Sequence, residues 1–232
     1  MDDHRVVTHE EWLDARQELL AKEKAFTKTR DRLAEERRAL PWEAITKPYR
    51  FKGAAGDRTL ADLFDGRSEL IVYHFMFDPA DDAGCPHCSF WADNFDGAPI
   101  HLNARDISFV AVSRAPYAKI ALYKARMGWS FPWYSSYGSD FNYDLGVAFS
   151  PEALAAGSAV YNYGSTEPGL EDREGISAFA RNATGDIFHT YSAYARGIDI
   201  INGAYHIIDL TPKGRDEPKG DPQFWVRRHD EY

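Results

Sequence analysis

The chain holds two cysteines, and the run Cys85-Pro86-His87-Cys88 sets them two residues apart. At the start of a helix this spacing puts one sulfur on the first turn and the other a turn along, close enough to bridge. The chemistry it suits is thiol–disulfide exchange, in which the Cys85 thiolate attacks a substrate disulfide and Cys88 resolves the mixed disulfide. Cys85 is expected at the amino end of the helix, where unpaired amides and the helix dipole favour a thiolate. Pro86 fits the first turn, where its missing N–H costs nothing. His87, when protonated, adds positive charge beside the sulfur. Zinc ligation is a competing use of such a pair, but zinc takes four protein ligands and the sequence has no second Cys-x-x-Cys. His74, His101 and His189 are the histidines available to complete a site. His74 and His189 fall in strand patterns, where core or edge packing is the commoner role, so no metal site is assigned.

The elements that must position the pair are readable around it. Glu69 to Phe77 is almost continuously apolar, as a central strand covered on both faces should be. A loop from Asp78 to Gly84 delivers Cys85, and Pro86 to Phe95 has helical spacing. Ile107 to Ser113 reads as a second buried strand and Tyr117 to Met127 as a second helix. Two later strands, Ile176 to Arg181 and Ile187 to Tyr194, flank a hairpin turn at Asn182 to Asp186. A helix is expected from Asp199 to Leu210, stopped before Pro212. Upstream, Tyr49 to Lys52 suggests a short edge strand and Thr59 to Phe64 a helical turn. The first segment, Glu10 to Leu40, reads as one helix about 45 Å long, opened by a capping box of Thr8 and Glu11. Trp12, Leu19, Phe26, Leu33 and Leu40 recur every seven residues along it. That narrow seam predicts packing against the body of a protomer, its own or a partner's, and a homodimer is expected.

Length and charge bound the function. The 232 residues suit one core with extensions, and 44% hydrophobic with 14% aromatic residues can fill it. A net charge of −9 argues against a nucleic-acid or anionic-membrane surface. The opening Met1-Asp2-Asp3-His4-Arg5 leads into no apolar stretch, so no secretory signal is read. The longest apolar run is too short to span a bilayer. A cytoplasmic protein is expected, a setting in which paired thiols serve catalysis or metals more than stapling.

The order strand, Cys-x-x-Cys helix, strand, helix, hairpin, helix resembles the thioredoxin-like superfamily over residues 49–210. Within it the chain is most similar to an uncharacterised bacterial family known as predicted dithiol–disulfide oxidoreductases. The resemblance is carried by Gly84-Cys85-Pro86-His87-Cys88-Ser89-Phe90-Trp91-Ala92-Asp93-Asn94-Phe95, by Asp140-Phe141-Asn142-Tyr143-Asp144, and by the closing Trp225 to Tyr232. It implies an α/β fold: a thioredoxin-like central mixed sheet flanked by helices, with a long N-terminal helix and an insertion before the C-terminal hairpin. The division expected is 1–48 as a helical extension, 49–210 as the thioredoxin-like domain and 211–232 as a tail. The same Pro-His pair in strongly oxidising disulfide donors implies a couple more oxidising than thioredoxin, at about −270 mV. Two departures stand out. Thioredoxins carry a cis-proline where this chain reads Glu174-Gly175-Ile176. Peroxiredoxins place a threonine where this chain has Asp82, and Pro79 is one residue off their register.

The leading expectation is a thiol–disulfide oxidoreductase with Cys85, Cys88, His87 and Pro86 in its catalytic motif. Trp91, Arg114, Trp133 and Ile176 are the candidate substrate-binding residues. Arg114 follows the second strand at its carboxyl end, where α/β sites gather. The aromatic stretch from Trp129 to Tyr143 reads as core and lid packing or, alternatively, as a wall over the dithiol. Lys213 to Asp221 reads as a solvated loop. The expected partners are a thiol or disulfide substrate and an external thiol reductant, and no cofactor is implied. One alternative is a peroxiredoxin-like thiol peroxidase, in which Cys85 passes through sulfenic acid. The other is a non-catalytic thioredoxin-like binding module, whose thiols would resist alkylation.

Overall fold

Apolar runs that need cover on both faces become the middle strands of one sheet. The computed structural model describes residues 4–232; residues 1–3, part of the opening read for a leader, lie outside the described residues. In chain order the elements are α1 (His9–Arg38), β1 (Glu43–Ile45), β2 (Arg50–Gly53), β3 (Gly56–Thr59), α2 (Leu60–Leu63), β4 (Glu69–His74), α3 (Pro86–Ala92) and α4 (Ala98–Asn103). They continue with β5 (Ile107–Ser113), α5 (Tyr117–Met127), β6 (Trp133–Ser135), α6 (Phe141–Asp144), α7 (Pro151–Ala155), β7 (Gly175–Arg181), β8 (Ile187–Tyr194) and α8 (Gly203–Ile208).

The strands form a single sheet in the order β1-β8-β7-β4-β5-β6-β2-β3. β4 pairs parallel with β5 and antiparallel with β7, and β8 closes the hairpin with β7. This four-strand core, with α3 joining its parallel pair and α8 after its hairpin, is the thioredoxin-like fold. β6 adds a parallel strand beyond β5, and the β2–β3 hairpin extends that side.

Alternation along β4 divides the interior. Tyr73 faces a core that contains Phe75, Cys88, Trp91, Ile120, Tyr123 and Tyr205, so α3, α5 and α8 cover one face. Leu70 and Val72 face the other, with Phe51, Leu63, Val112, Phe141 and Phe179. The cysteine helix thus rests on an aromatic layer: Phe75 packs at a tilt against Trp133 with centroids 4.5 Å apart and edge-on to Tyr123 at 6.3 Å.

Several expectations change in detail. β2 lies between β6 and β3 and is not the edge, because the unforeseen β3 pairs outside it. The helix expected over Asp199–Leu210 is broken. Residues Ala195–Ile201 are 3-10, and Asn202 then caps α8 by accepting the Tyr205 N–H. The stretch Lys213–Asp221 is anchored as well as solvated, since Glu217 accepts hydrogen bonds from Tyr205 Oη and Trp225 Nε1. α1 begins with the expected Thr8–Glu11 capping box but has no buried residue. Within one chain the large apolar side chains of its seam are exposed, and near its end Arg37 lies over the Tyr191 ring.

The aromatic stretch is core at Trp129, Phe131, Trp133 and Phe141, whereas Tyr137 and Tyr143 are exposed. Trp129, Phe131 and Trp133 enter the face beneath α3 and α5, and Phe141 enters the opposite face. Trp133 donates through Nε1 to Ser113 Oγ at 3.0 Å and is 3% exposed. Trp133→Ala is expected to cost about 3–5 kcal/mol of folding stability, the range for deleting a large buried aromatic. Urea unfolding measures this, and a cost below about 1 kcal/mol would contradict the core assignment.

Candidate active site

The cysteine loop is built by close contact. Gly84 is required there, because a Cβ would come within 2.6 Å of both the Phe75 and Tyr123 rings. Cys85 is the N-cap of α3 and Pro86 opens the helix. The Cys85 N–H donates to Met76 O at 3.1 Å, pinning the loop to the end of the β4 segment. Its carbonyl receives the Ser89 N–H at 3.0 Å and the Ser89 hydroxyl at 2.8 Å. Ser89 Oγ lies 2.8 Å from Tyr123 Oη, which receives Arg228 Nε at 3.1 Å. Arg228 also donates from Nε and Nη2 to the Gly84 carbonyl, at 3.1 and 2.8 Å. The last residues of the chain therefore clamp the loop that presents Cys85. His229 Nδ1 and Trp129 Nε1 both reach Asp93 Oδ1 at the other end of α3.

The two thiols occupy unlike environments. Cys85 is partly exposed, whereas Cys88 is buried and receives the Met76 N–H on its sulfur at 3.4 Å. Hydrogen bonding from the Cys88 thiol lowers the pKa of Cys85 well below the ordinary thiol value, with burial opposing and His87 and the Cys88 amide adding to the fall. Burial, followed by the hydrogen bond to Cys85 and its negative charge, pushes Cys88 the other way, well above that value. His87 is raised by its hydrogen bond to Cys85, with burial opposing and the backbone of Gln223 adding to the rise. Both shifts act in one direction, favouring a thiolate at Cys85 beside His87 and retention of the proton on Cys88 behind it.

A cavity of about 410 Å³ opens over the pair. Cys85, His87, Cys88 and Trp91 line it, with Met76 and Ile198 among its apolar walls. Trp91 is fixed by donating Nε1 to Ile198 O at 3.0 Å. Arg173, Glu174, Arg196 and Asp199 supply charge, and Pro222 and Gln223 reach it from the tail. The other sequence candidates sit elsewhere. Pro86 is in the helix turn. Ile176 packs on the core beside β4 without lining the cavity. Arg114 is buried in an ion-pair cluster with Asp78 and Asp172 and donates to Tyr143 Oη. Trp133 is inside the aromatic layer.

His74, His101 and His189 do not line this cavity. His74 is on the opposite face, bonded through Nε2 to Ser177 Oγ at 2.8 Å; burial holds its pKa down to about 3, so it is neutral. Among the described residues no group of three or more His, Cys, Asp or Glu side chains is placed to hold a metal ion. No described helix is long and apolar enough to cross a membrane.

Fold and thiols together define a thioredoxin-like protein with a Cys-x-x-Cys pair at the head of its first core helix. The chain belongs to the family described as "Bacterial protein of unknown function (DUF899)", which matches residues 1–232. No curated protein matches the chain significantly. Similar solved structures include Peroxidoxin BcpB from Mycobacterium tuberculosis, 13% identical with a TM-score of 0.42, covering 73% of this chain and 97% of that one. Another is a Peroxiredoxin Q from Xanthomonas campestris, 16% identical with a TM-score of 0.43, covering 72% and 96%. Both likenesses are remote, and the fold assignment stands on the strand order.

Sequence reasoning missed Glu174, Gln223 and Arg228. Glu174 stands at the place where the missing proline was noticed, and Arg228 belongs to the closing segment noted for resemblance alone.

The acidity difference is measurable. Iodoacetamide alkylation of Cys85 should rise with pH through a midpoint well below the free-thiol value of about 8.5. His87→Gln should move that midpoint up and slow alkylation at pH 6 by about ten-fold. An unchanged profile would remove His87 from the thiolate's environment.

Proposed function

We propose that the protein is a thiol–disulfide oxidoreductase working through Cys85 and Cys88. The observation that carries this reading is the unlike placement of two adjacent thiols lining one cavity, Cys85 reachable at the helix start and Cys88 buried behind it. The Cys85 thiolate attacks one sulfur of a disulfide RS–SR′. A Cys85–SR bond forms, the substrate S–S bond breaks, and R′S⁻ departs and takes up a proton. Attachment of RS removes the negative charge that kept Cys88 protonated. Cys88 then loses its proton, attacks Cys85 Sγ, and releases RS⁻. The protein dithiol is oxidised by two electrons and the substrate disulfide is reduced by two.

The stages divide between the groups already described. Cys85 serves first as nucleophile, the role a depressed pKa supports, and then as the sulfur that Cys88 attacks. His87 stabilises its anion. Arg228, through Gly84 and Tyr123, is a positioning residue for the helix start. Stabilisation of the reduced form by the thiolate supports a couple more oxidising than about −270 mV. An external thiol reductant returns the pair to the dithiol state.

Turnover with a disulfide substrate and a thiol reductant tests the reading. Cys85→Ser is expected to lower the rate by at least about 10³-fold, to the level of uncatalysed exchange. Cys88→Ser should stop turnover but accumulate a covalent adduct on Cys85, seen by intact mass. Full activity in Cys85→Ser would overturn the assignment.

A further inference from the structure

We propose that the natural substrate of this dithiol is a small disulfide carrying both carboxylate and ammonium groups, not a disulfide of a folded protein. The inference rests on the oxidoreductase reading above and concerns what reaches Cys85.

Polypeptide substrates commonly dock by adding backbone hydrogen bonds to an exposed strand or strand-like segment. Beside these cysteines such a segment is already occupied. β7 is flanked on both sides, by β4 and β8, from Gly175 onward. The residues leading into it are paired with the insertion: Arg173 N–H donates to Val147 O at 2.9 Å, and Phe149 N–H donates to Glu171 O at 2.9 Å. Ala148 and Asp172 form a bridge between the same segments. The Glu174 carbonyl receives the Tyr161 hydroxyl at 2.9 Å. The sheet's outer strands, β1 and β3, lie at its two ends, away from β4 and the cysteines. A polypeptide backbone therefore finds the insertion-facing side of this segment and the Glu174 carbonyl already taken.

What remains open is a recess sized for a small molecule. Three segments far apart in sequence rise around the thiols: Leu170 with Arg173 and Glu174, Ala195 to Asp199, and Pro222 with Gln223. They enclose about 410 Å³, within the range of about 300–1,000 Å³ typical of small-ligand sites. Its walls carry charge of both signs. Arg196 is largely exposed and bound to Asp199 at 3.2 Å. Arg173 Nε is buried without a well-aimed hydrogen bond, 3.4 Å from Glu174 Oε2. Arginine suits a carboxylate and the paired acids suit an ammonium, while Met76, Trp91 and Ile198 receive the carbon and sulfur of the ligand.

The test follows oxidation of the full-length reduced protein at pH 7 by three probes. Glutathione disulfide is small and carries both charges, 2-hydroxyethyl disulfide is small and carries neither, and insulin presents disulfides within a folded protein. Each rate is divided by that of free dithiothreitol with the same probe, which removes intrinsic reactivity. Glutathione disulfide is expected to exceed each of the others by about ten-fold or more, the scale of one charged hydrogen bond. Arg196→Ala should lower the ratio of glutathione disulfide to 2-hydroxyethyl disulfide by about two- to five-fold. Insulin reacting as fast as glutathione disulfide would overturn the exclusion of proteins. Equal rates for the two small probes, or an unmoved ratio in Arg196→Ala, would overturn the recognition of charge. If no disulfide oxidises the protein while iodoacetamide still alkylates Cys85, the underlying oxidoreductase reading fails.

Discussion

The start of α3 is held against the end of the β4 segment, and the chemistry depends on that contact. Cys85 donates its N–H to Met76, and Met76 donates its own to the Cys88 sulfur, so one residue after β4 fixes both cysteines. The arrangement is possible because Gly84 has no Cβ to meet the Phe75 and Tyr123 rings. It is maintained from outside by Arg228, whose guanidinium bridges the Gly84 carbonyl and the Tyr123 hydroxyl. A fan of donors of this kind holds a loop more firmly than an ammonium could, since its geometry is planar and preset.

From that placement the electrostatics follow. A sulfur at a helix N-terminus, within reach of a neighbouring thiol and an imidazole, favours ionisation; a sulfur one turn deeper, in an aromatic core, resists it. Each thiol also acts on the other. The Cys88 hydrogen bond stabilises the Cys85 anion, and burial, reinforced by that bond and that anion's charge, raises the pKa of Cys88. In the proposed exchange the first step would remove that charge and so ready the second nucleophile, giving the reaction its order without a moving part.

Much of this was legible in residues whose cause is local. β5 and α5 fall at the expected residues, because Ile107 to Ser113 is apolar at five of its seven positions and Gly128, at φ +69°, ends the helix. The Cys-x-x-Cys helix was readable for the same reason, from Pro86 and its apolar spacing. What was hidden is what distance decides. β6 is three residues inside an aromatic run, and its strand character comes from pairing with β5. Arg114 looked placed for a ligand because it follows a strand end, yet Asp78 and Asp172, distant in sequence, claim it. Arg228 meets Gly84 across 144 positions, and no local pattern signals such a contact. The insertion was visible as extra length, but its role in occupying the backbone before β7 needed the partners of Arg173 and Glu174 to be known.

The central claim is that Cys85 and Cys88 form one reversible redox couple. Equilibration of the full chain in a graded series of glutathione buffers, followed by alkylation and intact mass, addresses it directly. The account predicts a single two-electron transition between a doubly alkylated dithiol and an unalkylated intramolecular disulfide, at a potential above the thioredoxin value of about −270 mV. Two thiols that stay reduced across the whole series would contradict it.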